Sequence, residues 1–351
     1  MASVRAALIG YGLAGEEFHG PLLERAQAIE LATIVTADPE RARRARGDHP
    51  GARVVDSAER VWERADEHDL VVVATPNETH VPLASAAIER GLAVVVDKPL
   101  AVTAADARAL VERAEAAGVP LAVFHNRRFD AEQRALRQLL SDGRLGRLLR
   151  VEARLERWAS DSARTPWRRS GEAAAGGGIL LDLGAHLVDQ MLTLLGPVRS
   201  VYAEIDRRAG GVPDDVFLAL RHRTGVRSHL WAADRVVPGP RLRAVGSDAT
   251  YLALEPDPQD AALRAGHAPS SAAPSHWGRL LTGAGGAGEP VPCPRDGWEA
   301  FYPAVAAAVR GEGEPPVSGR EALAVAEVLD AAERSAASGQ VVALGEAPVG
   351  S

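Results

Sequence analysis

The sequence predicts an α/β chain of two domains: a first with a parallel sheet covered on both faces, and an α+β second with an open, mostly antiparallel sheet. Three observations carry this. Up to about residue 125, short continuously apolar runs (VRAALIG, ELATIV, ARVVDS, LVVVAT, LAVVVD, PLAVF) alternate with helical patterns such as SAAIERG and TAADARALVERAEAAG, the pattern of buried parallel strands joined by helices. Beyond Asn126, longer segments (RLLRVEARLERW, VRSVYAEIDRR, DDVFLALRHR, GVRSHLWAADR, RLRAVGS, ATYLALE) alternate with period two, as antiparallel strands with one polar face do. The length of 351 residues suits two domains of about 100–200 residues each, taken as 1–125 and 126–351.

The elements follow in order. The first strand, VRAALIG, leads into a helix from about Ala14, and ELATIV is the second strand. DPERARRA starts the next helix with Asp38 placed as its cap. Thr103 followed by Asp106 resembles an N-cap with an acid at the third helical position. A helix over 130–141 opens the second domain, and another, containing Asp182, interrupts its strands. Residues 257–296, rich in Pro, Gly, Ser and Ala, read as a loop excursion. WEAFYPAVAAAVRG and GREALAVAEVLDAAERSAASG close the chain as two helices able to pack back on the first domain.

Composition narrows the function classes. Hydrophobic residues make up 46% and charged residues 25%, the formal net charge is −7, and the pI is about 5.9. That balance gives no electrostatic support for nucleic-acid binding, which calls for a basic face. The basic run Arg41 to Arg46 and the pair Arg168–Arg169 read as solvated surface. A lone cysteine, Cys293, excludes an intramolecular disulfide and a thiolate metal cluster. The N-terminus moves straight into a strand pattern without signal-peptide features, and no apolar run approaches the roughly 18 residues of a membrane helix. The expectation is a cytoplasmic protein with no membrane partner.

Gly10-Tyr11-Gly12-Leu13-Ala14-Gly15 follows the first strand and opens a helix. Glycines there permit a tight turn and close backbone approach, and the helix N-terminus offers amides to a pyrophosphate. The first domain thus reads as a Rossmann dinucleotide-binding domain. The second strand ends Val35-Thr36-Ala37-Asp38. Thr36 leaves room for a 2′-phosphate, and Arg41 or Arg44 could curl back to it; Asp38 could instead bind a ribose, although a helix cap is its better reading. The balance leans to NADP, with NAD the alternative.

VVVDKPL places Lys98 at the end of a buried parallel strand, where open α/β sheets bind ligands. Its ammonium there can orient and polarise a substrate hydroxyl, with Asp97 beside it and Pro99 fixing the turn. ATPNETH ends the preceding strand, so Thr75, Pro76, Asn77 and His80 flank the same crevice, His80 more as a structural residue than a ligand. In GILLDLGAHLVDQ, a helix from near Ile179 would set Asp182, His186 and Asp189 on one face. Charged groups are rarely buried without partners, so that face either meets solvent or lines a polar pocket. A metal site is the first rival reading for these three ligand-type side chains, but no second histidine pair or acidic cluster is tied to them.

Together, GYGLAGEEFHGPLL, VVVATPNETHVPLASAAIERGLAVVVDKPLAVT, VFHNRRFD and LLDLGAHLVDQ resemble the Gfo/Idh/MocA family from about residue 4 to 345. The branch of NADP-dependent scyllo-inositol dehydrogenases is nearest in its FH-x-PLL, HNRR-[WF]-D and DLG-x-H-x-x-DQ patterns. The resemblance implies a Rossmann domain, then an α/β domain whose open sheet often mediates oligomerisation, here as a homodimer or homotetramer. Lys98 matches the lysine of the family's E-K-P motif, although Asp97 stands where the family has glutamate. Asp182 and His186 match its D-x-x-x-H pair, with His186 the acid/base residue and Asp182 and Lys98 orienting the hydroxyl. NADP-type members often carry arginine after the small residue at the second strand end, and Ala37 departs from that.

The expected activity moves a hydride between nicotinamide and a secondary alcohol or ketone of a sugar or cyclitol. Histidine suits the proton transfer, since its unperturbed pKa of about 6.5 is near operating pH. Asn126 and Arg127 could approach nicotinamide or substrate, while Arg128 could form a structural ion pair. Trp158, Trp167 and Arg168 precede the Asp182 helix, where an active-site loop would fit, although packing is an equal reading for the tryptophans. Asp189 reads as buried with a structural hydrogen bond. The rival from another class is a catalytically silent dinucleotide-binding sensor or transcriptional co-regulator, which would need neither Lys98 nor His186.

Overall fold

The computed structural model describes residues 3–158, 177–207, 211–269, 273–283, 286–294 and 297–345. Two compact units emerge, and the chain interleaves them. The first comprises 1–126, 259–269 and 298–323, the second 127–258, 270–297 and 324–351. The closing segment is therefore shared out between the units.

The first unit holds a six-stranded parallel sheet of β1 (Val4–Ile9), β2 (Ile29–Val35), β3 (Arg53–Val55), β4 (Leu70–Val73), β5 (Ala93–Asp97) and β6 (Leu121–Phe124). The order is β3-β2-β1-β4-β5-β6. All four β4 residues are buried, each contributing about 1.5–3 kcal/mol as a Val or Leu removed from water on both sides. The order reverses between β1 and β4, and the carboxyl ends of strands at such a reversal form the usual ligand crevice. Asp38 caps the helix Pro39–Asp48, its carboxylate accepting from the Glu40 and Arg41 amides (2.9 and 3.0 Å). Thr103 caps Ala104–Ala117 by accepting from the Asp106 amide. The helix after β1 starts as a wide π-type turn, Gly15–His19, before the α-helix Gly20–Arg25.

Nine strands make the sheet of the second unit: β7 (Leu148–Arg157), β8 (Val198–Asp206), β9 (Asp215–His222), β10 (Arg227–Asp234), β11 (Leu242–Gly246), β12 (Thr250–Ala253), β13 (Arg279–Leu281), β14 (Glu289–Pro290) and β15 (Val342–Ala343). The order is β14-β13-β12-β11-β7-β10-β9-β8-β15, antiparallel except at β7–β10. Period two sorts the faces. Val151, Ala153 and Leu155 of β7 enter the core with Leu187, Val188, Met191 and Leu195 of the helix Ala185–Leu195. The intervening Arg150, Glu152 and Arg154 lie on the other face, where the Arg154 guanidinium sits 4.0 Å from the Trp231 ring centre.

The segment 257–296 departs from the loop expectation. It contains the helix Gln259–Arg264 as well as β13 and β14. Leu280 on β13 is buried and pairs with Tyr251, so one apolar residue in register suffices to add a strand inside a Gly- and Pro-rich stretch.

Candidate active site

The three glycines of the phosphate loop answer to different demands. Gly10 has φ +102° and a Cβ there would meet Ala74 O at 2.4 Å; on Gly15 it would meet Gly10 O at 2.0 Å. Packing of the chain itself requires both. At Gly12 a Cβ would meet only Arg41 Nη1, at 3.8 Å. Among the described residues nothing else comes within 4 Å of that space, whereas a pyrophosphate laid on the loop would use it. The loop therefore fits a dinucleotide. Glu16 and Glu17, at the start of the following helix, would repel phosphate if left bare. Arg44 Nε and Nη2 donate to both Glu16 oxygens (2.5 and 3.0 Å), and Arg264 pairs with Glu17.

Two arginines were candidates for curling back to the end of β2, and they separate here. Arg44 is committed to Glu16, while Arg41 reaches over Gly12 with its Nε 3.9 Å from Asp38 Oδ2. Thr36 is buried and Ala37 exposed, and both line a cleft of about 390 Å³ that also takes in Arg46 and Arg60.

At the ends of β4 and β5, His80 ties two loops together. Its buried ring lies 2.8 Å from Pro99 O through Nδ1 and 2.9 Å from Thr75 O through Nε2. Asn77 is buried beside it in sequence, and Thr79 Oγ1 donates to Pro76 O. Asp97 ends β5 and accepts the Lys98 amide at 2.9 Å; the Lys98–Pro99 peptide is cis. Burial acts to raise the Asp97 carboxyl, but His19, Lys98 and His80 outweigh it and hold its pKa below the usual range.

In the second unit, Leu180–Gly184 forms a wide π-type turn, closed by Ala185 N donating to Leu180 O, ahead of the α-helix Ala185–Leu195. Such turns often mark functional sites. The aspartates of the triplet have different partners. Asp189 is buried and receives Arg128 Nε and Nη2 at 3.2 and 2.5 Å. Asp182, in the wide turn, receives Arg157 Nη2 at 3.2 Å, and Arg157 Nε donates to Asp234 at 2.6 Å. Burial opposes the Arg157 charge, yet Asp182 and Asp234 prevail and raise its pKa above the ordinary arginine value. His186, on the first α turn, is 5% exposed.

Residues 4–125 match the oxidoreductase family with the NAD-binding Rossmann fold, and residues 133–252 match the GFO/IDH/MocA C-terminal domain. The chain belongs to the Gfo/Idh/MocA oxidoreductases. It is 34% identical over 347 residues to the uncharacterized oxidoreductase YdgJ of Escherichia coli, covering 95% of this chain and 96% of that protein. It is 30% identical to scyllo-inositol 2-dehydrogenase (NADP(+)) IolW of Bacillus subtilis, covering 95% and 94%. A solved structure of a putative oxidoreductase from Klebsiella pneumoniae superposes with a TM-score of 0.86 at 32% identity, over 99% of this chain and 97% of that one.

Within this Gfo/Idh/MocA chain, the glycine loop, Leu13, Ala14, Thr36, Asp38, Arg41, Thr75, Pro76, Asn77, His80, Asp97, Lys98 and Asn126 belong to the first unit, and Arg127, Trp158, Asp182 and His186 to the second. Leu13 and Trp158 are exposed. Arg127 donates a long bond to Asp130 (3.5 Å), and its carbonyl accepts from Gln190. Trp167 and Arg168 lie outside the described residues. Burial pushes the Cys293 thiol up to about 12, with Glu132 and Asp257 adding to it, which favours the protonated thiol at neutral pH. Among the described residues, no helix is long and apolar enough to cross a membrane, and no group of three or more His, Cys, Asp and Glu is arranged to hold a metal. Sequence reasoning passed over His19, Tyr302, Arg157 and Asp234. His19 sits in FHGPLL, a motif noted only for resemblance; the others are long-range partners with no local signal.

Proposed function

We propose that the chain is an NADP-preferring dehydrogenase that interconverts a secondary alcohol and a ketone on a sugar or cyclitol, with Lys98, Asp182 and His186 as its catalytic residues. The observation that carries this is compositional. Of 40 lysines and arginines, Lys98 is the sole lysine. Arginine serves everywhere else a cation is used, so position 98 has a need that a guanidinium does not meet. A compact ammonium with three rotatable donors can bond one substrate oxygen from the end of a strand, which a planar fork does less well.

The phosphate loop and Arg41 would hold the cofactor, whose nicotinamide supplies the hydride acceptor or donor when bound. His186 takes the hydroxyl proton in oxidation and returns it in reduction. Lys98 donates a hydrogen bond to the same oxygen, stabilising the charge it gains as the proton leaves. Asp182 orients that hydroxyl, its carboxylate fixed by the Arg157 clamp. NADP is favoured because Arg41 stands over Gly12 while the Asp38 carboxylate is engaged by two amides. The likeness to a relative named for scyllo-inositol and NADP points the same way. Assays with both cofactors across inositols and aldoses test the reading. Turnover with at least one polyol and tighter binding of NADP are expected; cofactor binding without turnover across the panel would instead support the sensor. Arg41→Ala should weaken NADP by about 10-fold or more, the worth of a charge-assisted bond, and weaken NAD less, because only NADP carries the additional 2′-phosphate.

A further inference from the structure

A buried polar chain in the first unit ends on the neighbour of Lys98. His19 is 0% exposed, with Nδ1 2.6 Å from Tyr302 Oη and Phe124 packed on its ring at 4.4 Å. Its Nε2 lies 3.7 Å from Asp97 Oδ1 and has no hydrogen-bond partner among the described residues. The same Asp97 oxygen accepts the Lys98 amide. Tyr302 is wholly buried, and that burial, with the Asp97 charge, keeps its phenol protonated well beyond neutral pH. With the phenol as donor to Nδ1, the ring hydrogen stands on Nε2, the nitrogen nearer Asp97; with the phenol as acceptor, Nε2 would instead face the carboxylate as a bare lone pair, the repulsive arrangement. A buried polar hydrogen without an acceptor costs about 1–3 kcal/mol. Packing alone would be served as well by phenylalanine at both positions.

We propose that His19 and Tyr302 are positioning residues that fix Asp97 at the end of β5 and, through it, the presentation of Lys98. The inference rests on Lys98 being the group that polarises the substrate oxygen. Tyr302 sets the imidazole tautomer, the imidazole dipole faces the carboxylate, and the carboxylate holds the Lys98 backbone. His80 and Lys98 are the other charged or titratable groups acting on Asp97.

The sole lysine of these 351 residues makes a direct test available in the intact chain. Acetic anhydride at fixed pH labels Lys98 and the terminal amine, and peptide mass spectrometry separates the two. Tyr302→Phe removes one oxygen atom, and thermal melting with cofactor titration checks that it folds. In Tyr302→Phe and in His19→Asn, the labelling rate of Lys98 relative to the terminal amine should change about 3-fold or more, and kcat should fall about 5-fold with cofactor KM unchanged, the scale of one hydrogen bond. Asp97→Asn should abolish the further effect of Tyr302→Phe, because both act along one chain. Effects that multiply, or a Tyr302→Phe protein with unchanged labelling and kcat, would overturn the inference. If Lys98→Met kept wild-type turnover, the functional reading would fall with it; if Lys98→Met were inactive and Tyr302→Phe silent, only the positioning role would fail.

Discussion

Lys98 and Gly12 are the residues at which sequence and structure say most about function. Lysine at 98 in a chain that otherwise uses arginine is a signal readable from composition alone, stronger than the local DKP motif. Lys98→Arg keeps the charge but changes donor geometry, and turnover should fall at least about 100-fold, as for loss of a positioned electrostatic contact. Steady-state kinetics would show it, and a variant within a few-fold of wild type would count against the assignment. Gly12 separates function from fold: Gly12→Ala should leave the melting temperature of the cofactor-free protein nearly unchanged while raising the cofactor Kd about 10-fold or more, since the added methyl enters ligand space only. Gly15→Ala should fail to fold normally, its Cβ meeting backbone. The motif pattern made all three glycines look alike, because pattern carries no information about which neighbour each one meets.

Among the elements, the helix carrying Asp182, His186 and Asp189 was legible in existence and start, but not in its partners. The periodicity argument assumed a uniform α-helix, and the wide turn at Leu180–Gly184 interrupts it. Arg128 and Arg157, 61 and 25 residues away from the aspartates they pair with, give no spacing signal. Asp189→Asn should destabilise the protein by about 3 kcal/mol or more in denaturant unfolding, because Arg128 would keep a buried charge without its carboxylate. Equal stability would mean that the pair is screened by solvent. The strands beyond residue 140 were legible because period two sorts core from surface; β13 and β14 were not, being too short to establish a period.

At the scale of the whole molecule, the parallel first sheet and the mostly antiparallel second were visible in the sequence, whereas the placing of 259–269 with the first unit was not. Return of a distant segment depends on complementary surfaces, and EPDPQDAALRAG reads locally as a Pro-rich excursion with no sign of where it packs. Buried titratable groups give the fold a stability maximum in pH. Burial lowers the pKa values of His68, His80 and His222, so the unfolded chain binds their protons first and stability falls as pH drops below about 6.5. Burial raises Asp130 and Glu132, with the charge of Asp257 adding to it, so their contribution has the opposite sign and is lost as pH rises through the folded values. Melting temperature should therefore decline on the acid side, less steeply in His222→Gln; a profile unaffected by that change would contradict the account.

The central claim is proton and hydride transfer on a polyol, and initial-rate formation of reduced NADP with a panel of inositols and aldoses tests it most directly, with His186→Ala run beside the wild type. The account predicts turnover on a cyclitol or sugar by the wild type, and a loss of at least about 100-fold in the variant with cofactor binding intact. Near-wild-type turnover by His186→Ala at neutral pH would contradict it.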